Sequence, residues 1–248
     1  MREYGQFYIG GQWVDPAQGQ PHDVVNPATE QVAGRIALGS QADVDAAVEA
    51  ARKAFVSYAE TTPAERVEVL QAILGEYKKR AEDLAAAVTE EMGAPAKLAA
   101  TAQVGMGLGH LATATKVLAD YPFAEDRGTT RIVREPVGVC AFITPWNWPL
   151  NQICAKVAPA LAAGNTMVLK PSEETPGSAA ILAEILHDAG VPAGVFNLVQ
   201  GDGPTVGAAL SKHRDVDMVS FTGSTRAGIL VAKAVSYTHL TLPTIYSV

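Results

Sequence analysis

Cysteine is scarce in this chain, with two residues in 248. That excludes a disulfide framework and makes a reducing cytoplasm the simplest home. The five histidines are scattered at spacings that suggest no metal site. Basic residues are outnumbered, 19 Lys and Arg against 26 Asp and Glu for a net charge of -7, so no cationic surface advertises nucleic acid. An apolar leader is missing too: MREYGQFYIGG has early charges and no apolar core, which argues against a secretory signal. The uncharged run from Pro136 to Ala155 reaches membrane-helix length. Pro145, Asn147, Pro149 and Asn151 interrupt it, so no membrane association is expected.

A hydrophobic share of 48% is present, enough for a substantial core in one or two domains. The chain opens with short strand-like pieces over 7 to 38, including a Gly10-Gly11 turn. Ser40-x-x-Asp43 resembles a capping box before Val44, Val48, Ala51 and Phe55 at helical spacing. Thr62-Pro63-Ala-Glu65 is a stronger start, with an N-cap, proline at the first helical position and glutamate at N3. The helix it opens is expected to run to Met92 and stop at Gly93. Another alanine-rich helix fills roughly 95 to 118. Residues 121 to 136 then change to turn-formers and to TTRIVREP, which alternates like an exposed strand beside a sheet.

From Val137 the chain becomes regular. Strands are predicted near 137, 166, 195 and 217, each followed by a helix, the rhythm of βαβ units and a parallel sheet. The fold class expected is α/β: an incomplete doubly wound, Rossmann-like parallel sheet, preceded by an N-terminal helical segment and carrying a small β-hairpin. In such sheets ligands sit beyond the carboxyl ends of the strands. The stretch EPVGVCAFITPWNWPLNQICAKVAPALAAGNTMVLKPSEETP contains two such ends. The prolines of Thr144-Pro-Trp-Asn-Trp-Pro149 cannot continue a ladder, and Lys170-Pro-Ser-Glu173 is the elbow of the next strand. Asn147, Lys170 and Glu173 are therefore expected to converge on one crevice.

Two further elbows invite a phosphate. Phe221-Thr-Gly-Ser-Thr225 joins a strand to a helix; Gly223 permits close backbone approach, and the helix start favours an anion. The same residues suit an ordinary Ser or Thr N-cap. Gly201-Asp-Gly203-Pro-Thr-Val-Gly207 misses the dinucleotide glycine spacing by one residue and reads as a glycine-rich turn or as a flank for adenine. Glu173 stands where dinucleotide folds place the acid that binds ribose hydroxyls. A solvated loop glutamate is the plainer account, as is a surface role for Lys170. Trp146 and Trp148 suit loop packing. Cys140, inside a strand, and Cys154, inside a helix, read as packing residues.

Together PWNWP, LAAGNTMVLKPSEETP, GDGPTVGAAL and FTGST, in this order and spacing, resemble the NAD(P)-dependent aldehyde dehydrogenase superfamily, with NPATE near residue 26 also fitting. The likeness covers about Phe7 to Val235. It implies a cysteine thiolate that attacks an aldehyde, hydride transfer to a nicotinamide, and a glutamate that activates the water releasing the acid. Asn147 is then the oxyanion donor. Cofactor contacts fall at Thr144, Pro145 and Trp146, at Lys170, Ser172 and Glu173, at Gly203 and Pro204, and at Phe221, Thr222, Gly223 and Ser224. The cofactor implied is NAD, with NADP acceptable, and the parent enzyme a homo-oligomer that acts on a small aldehyde.

The resemblance divides the chain into an N-terminal part of the NAD-binding domain (1–120), hairpin strands for oligomerisation (121–136), a βαβ core (137–235) and a tail unlike the family (236–248). That tail, SYTHLTLPTIYSV, has no charged residue; Tyr246 falls near where the base is due. It reads as a frameshift, an assembly join or a translated adapter. Nucleophile, base, most of the catalytic domain and the last oligomerisation strand are expected to be missing, so the chain itself is expected to be an inactive N-terminal fragment. The competing expectation is a non-catalytic module that binds NAD or pairs with related subunits.

Overall fold

The computed structural model describes residues 2–239. Its N-terminal strands are β1 (Arg2–Tyr4), β2 (Phe7–Ile9), β3 (Gln12–Val14), β4 (Gln20–Asn26) and β5 (Gln31–Leu38). Gly10 and Gly11, at φ 61° and 82°, make the tight turn between β2 and β3, the positive-φ pair that a two-residue hairpin requires. Helix α1 (Gln41–Tyr58) starts where Ser40 donates from its N–H and hydroxyl to Asp43 Oδ2, at 2.8 and 2.7 Å. Helix α2 (Pro63–Lys79) has the reciprocal cap the sequence predicts. Glu65 N–H donates to Thr62 Oγ1 at 3.2 Å, and Thr62 N–H donates to Glu65 Oε2 at 2.6 Å.

The single helix expected from 63 to 92 is two helices, because the chain breaks at Arg80 (φ -100°, ψ 11°) before α3 (Ala81–Met92). The Arg80 side chain binds Asp83 and, from the sheet-covering layer, Glu184, at 2.6 and 2.8 Å. That tertiary contact leaves no periodic trace. Gly93 ends α3 at φ 76°, the left-handed cap expected of glycine. Next come α4 (Ala96–Leu98), a π-helical stretch Ala99–Gln103 and α5 (Val104–Ala119), in place of one uniform helix.

Strands β6 (Ala124–Arg127) and β7 (Thr130–Val133) pair only with each other among the described residues. The segment is thus a free-standing ribbon, whereas its alternation predicted a strand beside the main sheet. Glu125 pairs with Arg127 on its own strand and, across the ribbon, with Arg134.

The remainder follows the predicted alternation: β8 (Val139–Ile143), α6 (Pro149–Ala162), β9 (Thr166–Lys170), α7 (Pro176–Asp188), β10 (Phe196–Leu198), α8 (Ala208–Lys212), β11 (Met218–Phe221) and α9 (Thr225–His239). The main sheet has the order β11-β8-β9-β10-β2-β3. Its first four strands are parallel, and β2 joins antiparallel to β10. The N-terminal hairpin therefore extends the dinucleotide-type sheet, a pairing across nearly the whole described chain. Successive residues of the central strands serve opposite cores. Val139, Ala141 and Val168 pack with Val44, Val48 and Leu210 on one face. Cys140, Phe142, Met167 and Leu169 pack with Leu70, Ile153 and Ile181 on the other. Helix α9 runs four residues into the segment expected to be unlike the family; the rest of that segment, including Tyr246, lies outside the described residues. No helix among the described residues is long and apolar enough to cross a membrane.

Candidate functional site

Parallel pairing sets the strand ends side by side. Phe221 pairs with Ile143, and Ile143 with Lys170. The last residues of β11, β8 and β9 thus form one row across the sheet, and the FTGST, TPWNWP and KPSE elbows leave it together. In open α/β sheets ligands sit beyond such carboxyl ends.

At the β9 end, Lys170 is 3% exposed. Its ammonium donates to the Gly201 carbonyl at 2.7 Å and to Glu173 Oε2 at 3.2 Å. Burial pulls its pKa below the ordinary lysine value, and the Glu173 carboxylate opposes that pull. A surface role for Lys170 is therefore wrong: the glycine-rich segment after β10 folds over it and supplies a carbonyl that chain-local reasoning does not reveal. Glu173 is partly exposed beside it, and buried Ser172 accepts from Glu174 N–H at 3.3 Å. The near-miss glycine loop is a π-helical turn, Gly203–Gly207, capped by Asp202 through Thr205 N–H at 2.7 Å. Gly203 and Pro204 are exposed on it.

At the β8 end, Thr144 is buried, and its hydroxyl has no hydrogen-bond partner. Pro145 and the exposed Trp146 and Asn147 follow. Gln103, at the end of the π-helical stretch, donates from Nε2 to the Asn147 carbonyl at 3.4 Å, so the approach to α5 buttresses this loop. At the β11 end, a Cβ on Gly223 would meet the Phe221 ring at 2.5 Å, so a larger residue there would force that ring to shift. Ser224 caps α9, its Oγ accepting from Ala227 N–H at 3.3 Å. The N-cap account of this pentapeptide is thus correct, and α9 starts directly beyond the β11 end.

Lys156 was missed by reasoning along the chain. It is half-buried on α6 and donates to Thr222 Oγ1 at 2.8 Å, tying the β11 elbow to the helix that follows β8. Burial lowers its pKa. A signal existed: it is the only charged residue between Pro136 and Leu169. The two cysteines lie where packing predicts. Both thiols are buried and pushed up to about 12, chiefly by desolvation.

The aldehyde dehydrogenase family model matches residues 13–244. The chain belongs to the aldehyde dehydrogenase family. It is 57% identical over 239 residues to a Pseudomonas 3-succinoylsemialdehyde-pyridine dehydrogenase, covering 96% of this chain and 50% of that protein. A putative aldehyde dehydrogenase of Staphylococcus saprophyticus is 49% identical, over 94% of this chain and 49% of its own length. Among solved structures, an aldehyde dehydrogenase of Bartonella henselae superposes with a TM-score of 0.94 at 46% identity, over 96% of this chain and 51% of that one. A mutant of aldehyde dehydrogenase C of Pseudomonas syringae, complexed with NAD+ and octanal, gives 0.93 at 53%, over 94% and 48%. The chain spans about half the length of the relatives it matches.

Proposed function

We propose that this chain is the NAD-binding portion of an aldehyde dehydrogenase, whose parent reaction converts an aldehyde, NAD and water to a carboxylic acid and NADH. The observation that carries the reading is the Phe221–Ile143–Lys170 row, with three elbows of family sequence leaving one sheet edge. NAD, when bound, accepts the hydride. The residues fit it. Lys170 and Glu173 reach ribose hydroxyls, and Ser172 flanks them. Gly203 and Pro204 lie along the adenine. Thr222, Gly223 and Ser224, at the start of α9, face the pyrophosphate, with Phe221 beneath them. Thr144 contributes a buried hydroxyl that lacks a partner, and Pro145 and Trp146 line the nearby channel. Glu173 favours NAD through repulsion of a 2′-phosphate, with NADP still accepted.

Asn147 is the oxyanion donor: its carboxamide N–H donates to the aldehyde oxygen as charge develops there, a contact of a kind worth about 2.7–4 kcal/mol. The nucleophile is neither cysteine of this chain, since both thiols are interior and held protonated. The 248-residue chain alone is therefore expected to form no NADH from any aldehyde, and detectable aldehyde-dependent NADH would refute this. Titration with NAD tests the cofactor half: saturable binding weakened by Glu173→Ala and by Ser224→Ala is the result expected.

A second reading, pairing of subunits through the β6–β7 ribbon in a homo-oligomer, is favoured by that ribbon standing apart from the main sheet. Sedimentation of the chain with and without residues 121–136 replaced by a Gly-Ser linker checks it. The free, buried cysteines suit a cytoplasmic protein.

A further inference from the structure

A two-stranded ribbon is marginally stable by itself. Strands β6 and β7, four residues each, pair only with each other among the described residues, so their root needs an anchor. That anchor is a stack of four side chains, Arg66, Phe123, Tyr121 and Arg134. Arg66, near the start of α2, is 4% exposed. Its Nε has no hydrogen-bond partner, and no carboxylate among the described residues pairs with its guanidinium. The Phe123 ring stands in that place, with the guanidinium carbon 5.0 Å from the ring centroid, a contact that strengthens with desolvation. Phe123 meets Tyr121 edge-on at 4.8 Å, and Arg134 lies over Tyr121 at 6.0 Å. The root is closed from both sides. Phe123 precedes β6, Arg134 follows β7, and Arg134 N–H donates to the Phe123 carbonyl at 2.7 Å. Gly164, at φ 83°, passes so near Arg66 that a Cβ there would clash with the guanidinium, so the turn into β9 confines the arginine.

We propose that Arg66 is the positioning residue of the ribbon: through Phe123 it clamps the ribbon's root to α2, so that a second copy of this chain meets a fixed edge instead of a loose hairpin. The inference rests on the reading of the ribbon as a pairing surface. A guanidinium buried without an anion costs free energy, and a methionine or leucine would fill the same space without that cost. What the arginine adds is attraction to a ring face, and that ring belongs to the segment to be held.

Limited trypsin digestion of the 248-residue chain reads the ribbon directly, because Arg127 and Arg131 lie in it and are cut when it opens locally. Arg66→Met, which keeps the bulk and drops the charge, should speed cleavage at both by about tenfold or more with circular dichroism unchanged. Phe123→Leu should do the same without touching the buried arginine. The double variant should be little faster than either, since each removes the same contact; additive effects would mean independent packing and overturn the clamp. Arg66→Lys, charged but not planar, should fall between. Sedimentation of the same variants should show pairing weakened about tenfold or more. Ribbon cleavage unchanged in both Arg66→Met and Phe123→Leu overturns the proposal. If cleavage rises as expected but the chain sediments alike with its ribbon and with the Gly-Ser linker, the clamp stands and the pairing reading falls.

Discussion

The two flanks of the crevice are built differently. At the β9 end Lys170 is buried, bonded to a carbonyl from another loop and paired with its own elbow's glutamate. At the β11 end the elbow is largely exposed and held by Lys156 on Thr222 and by the Ser224 cap. One flank is assembled by tertiary packing before any ligand arrives. The other is a helix start capped locally by Ser224 and tied to α6 through a single side-chain bond from Lys156. Stability and binding should therefore be coupled at the first flank and separable at the second.

Lys170→Ala is the largest expected effect: loss of the buried ammonium leaves the Gly201 carbonyl unpaired and a void beneath the glycine loop. Unfolding free energy should fall by about 2 kcal/mol or more in urea titration, with NAD binding abolished. A loss under about 0.5 kcal/mol would mean that this flank is no more pre-assembled than the other. Glu173→Ala comes next: NAD affinity should drop about tenfold, equivalent to about 1.4 kcal/mol, with NADP affected less. Equal losses for the two cofactors would remove Glu173 from the ribose. Ser224→Ala should cost about 1 kcal/mol of stability at most, as N-caps do, while weakening NAD. A larger stability loss would erase the contrast between flanks.

The smallest effect is on pH dependence. The folded pKa of Lys170 lies below its unfolded 10.5, so the unfolded chain binds more protons between those two values. Stability should rise with pH through that alkaline window. In Lys170→Met the rise should be shallower, measured by melting at a series of alkaline pH values.

Much of the site was legible in local sequence. The elbows around Asn147, Glu173 and Ser224 announce themselves through proline, glycine and capping chemistry at strand ends, and such chemistry acts over a few residues. The split of the 63–92 helix at Arg80 was not legible, because its Glu184 partner is 104 residues away. The hidden environment of Lys170 was not legible either, since Gly201 is 31 residues distant. Lys156 escaped notice because its partner sits 66 residues on.

By itself the sequence determined the βαβ alternation, the caps and the resemblance to aldehyde dehydrogenases. These depend on periodicity, turn chemistry and short spacings. Only the tertiary structure decided that β2 and β3 extend the main sheet, that β6 and β7 stand apart from it, and that Phe221, Ile143 and Lys170 share a row. The physical reason is strand pairing. Hydrogen bonds between strands join residues far apart in the chain, and which strands meet is settled by the collective burial of both sheet faces.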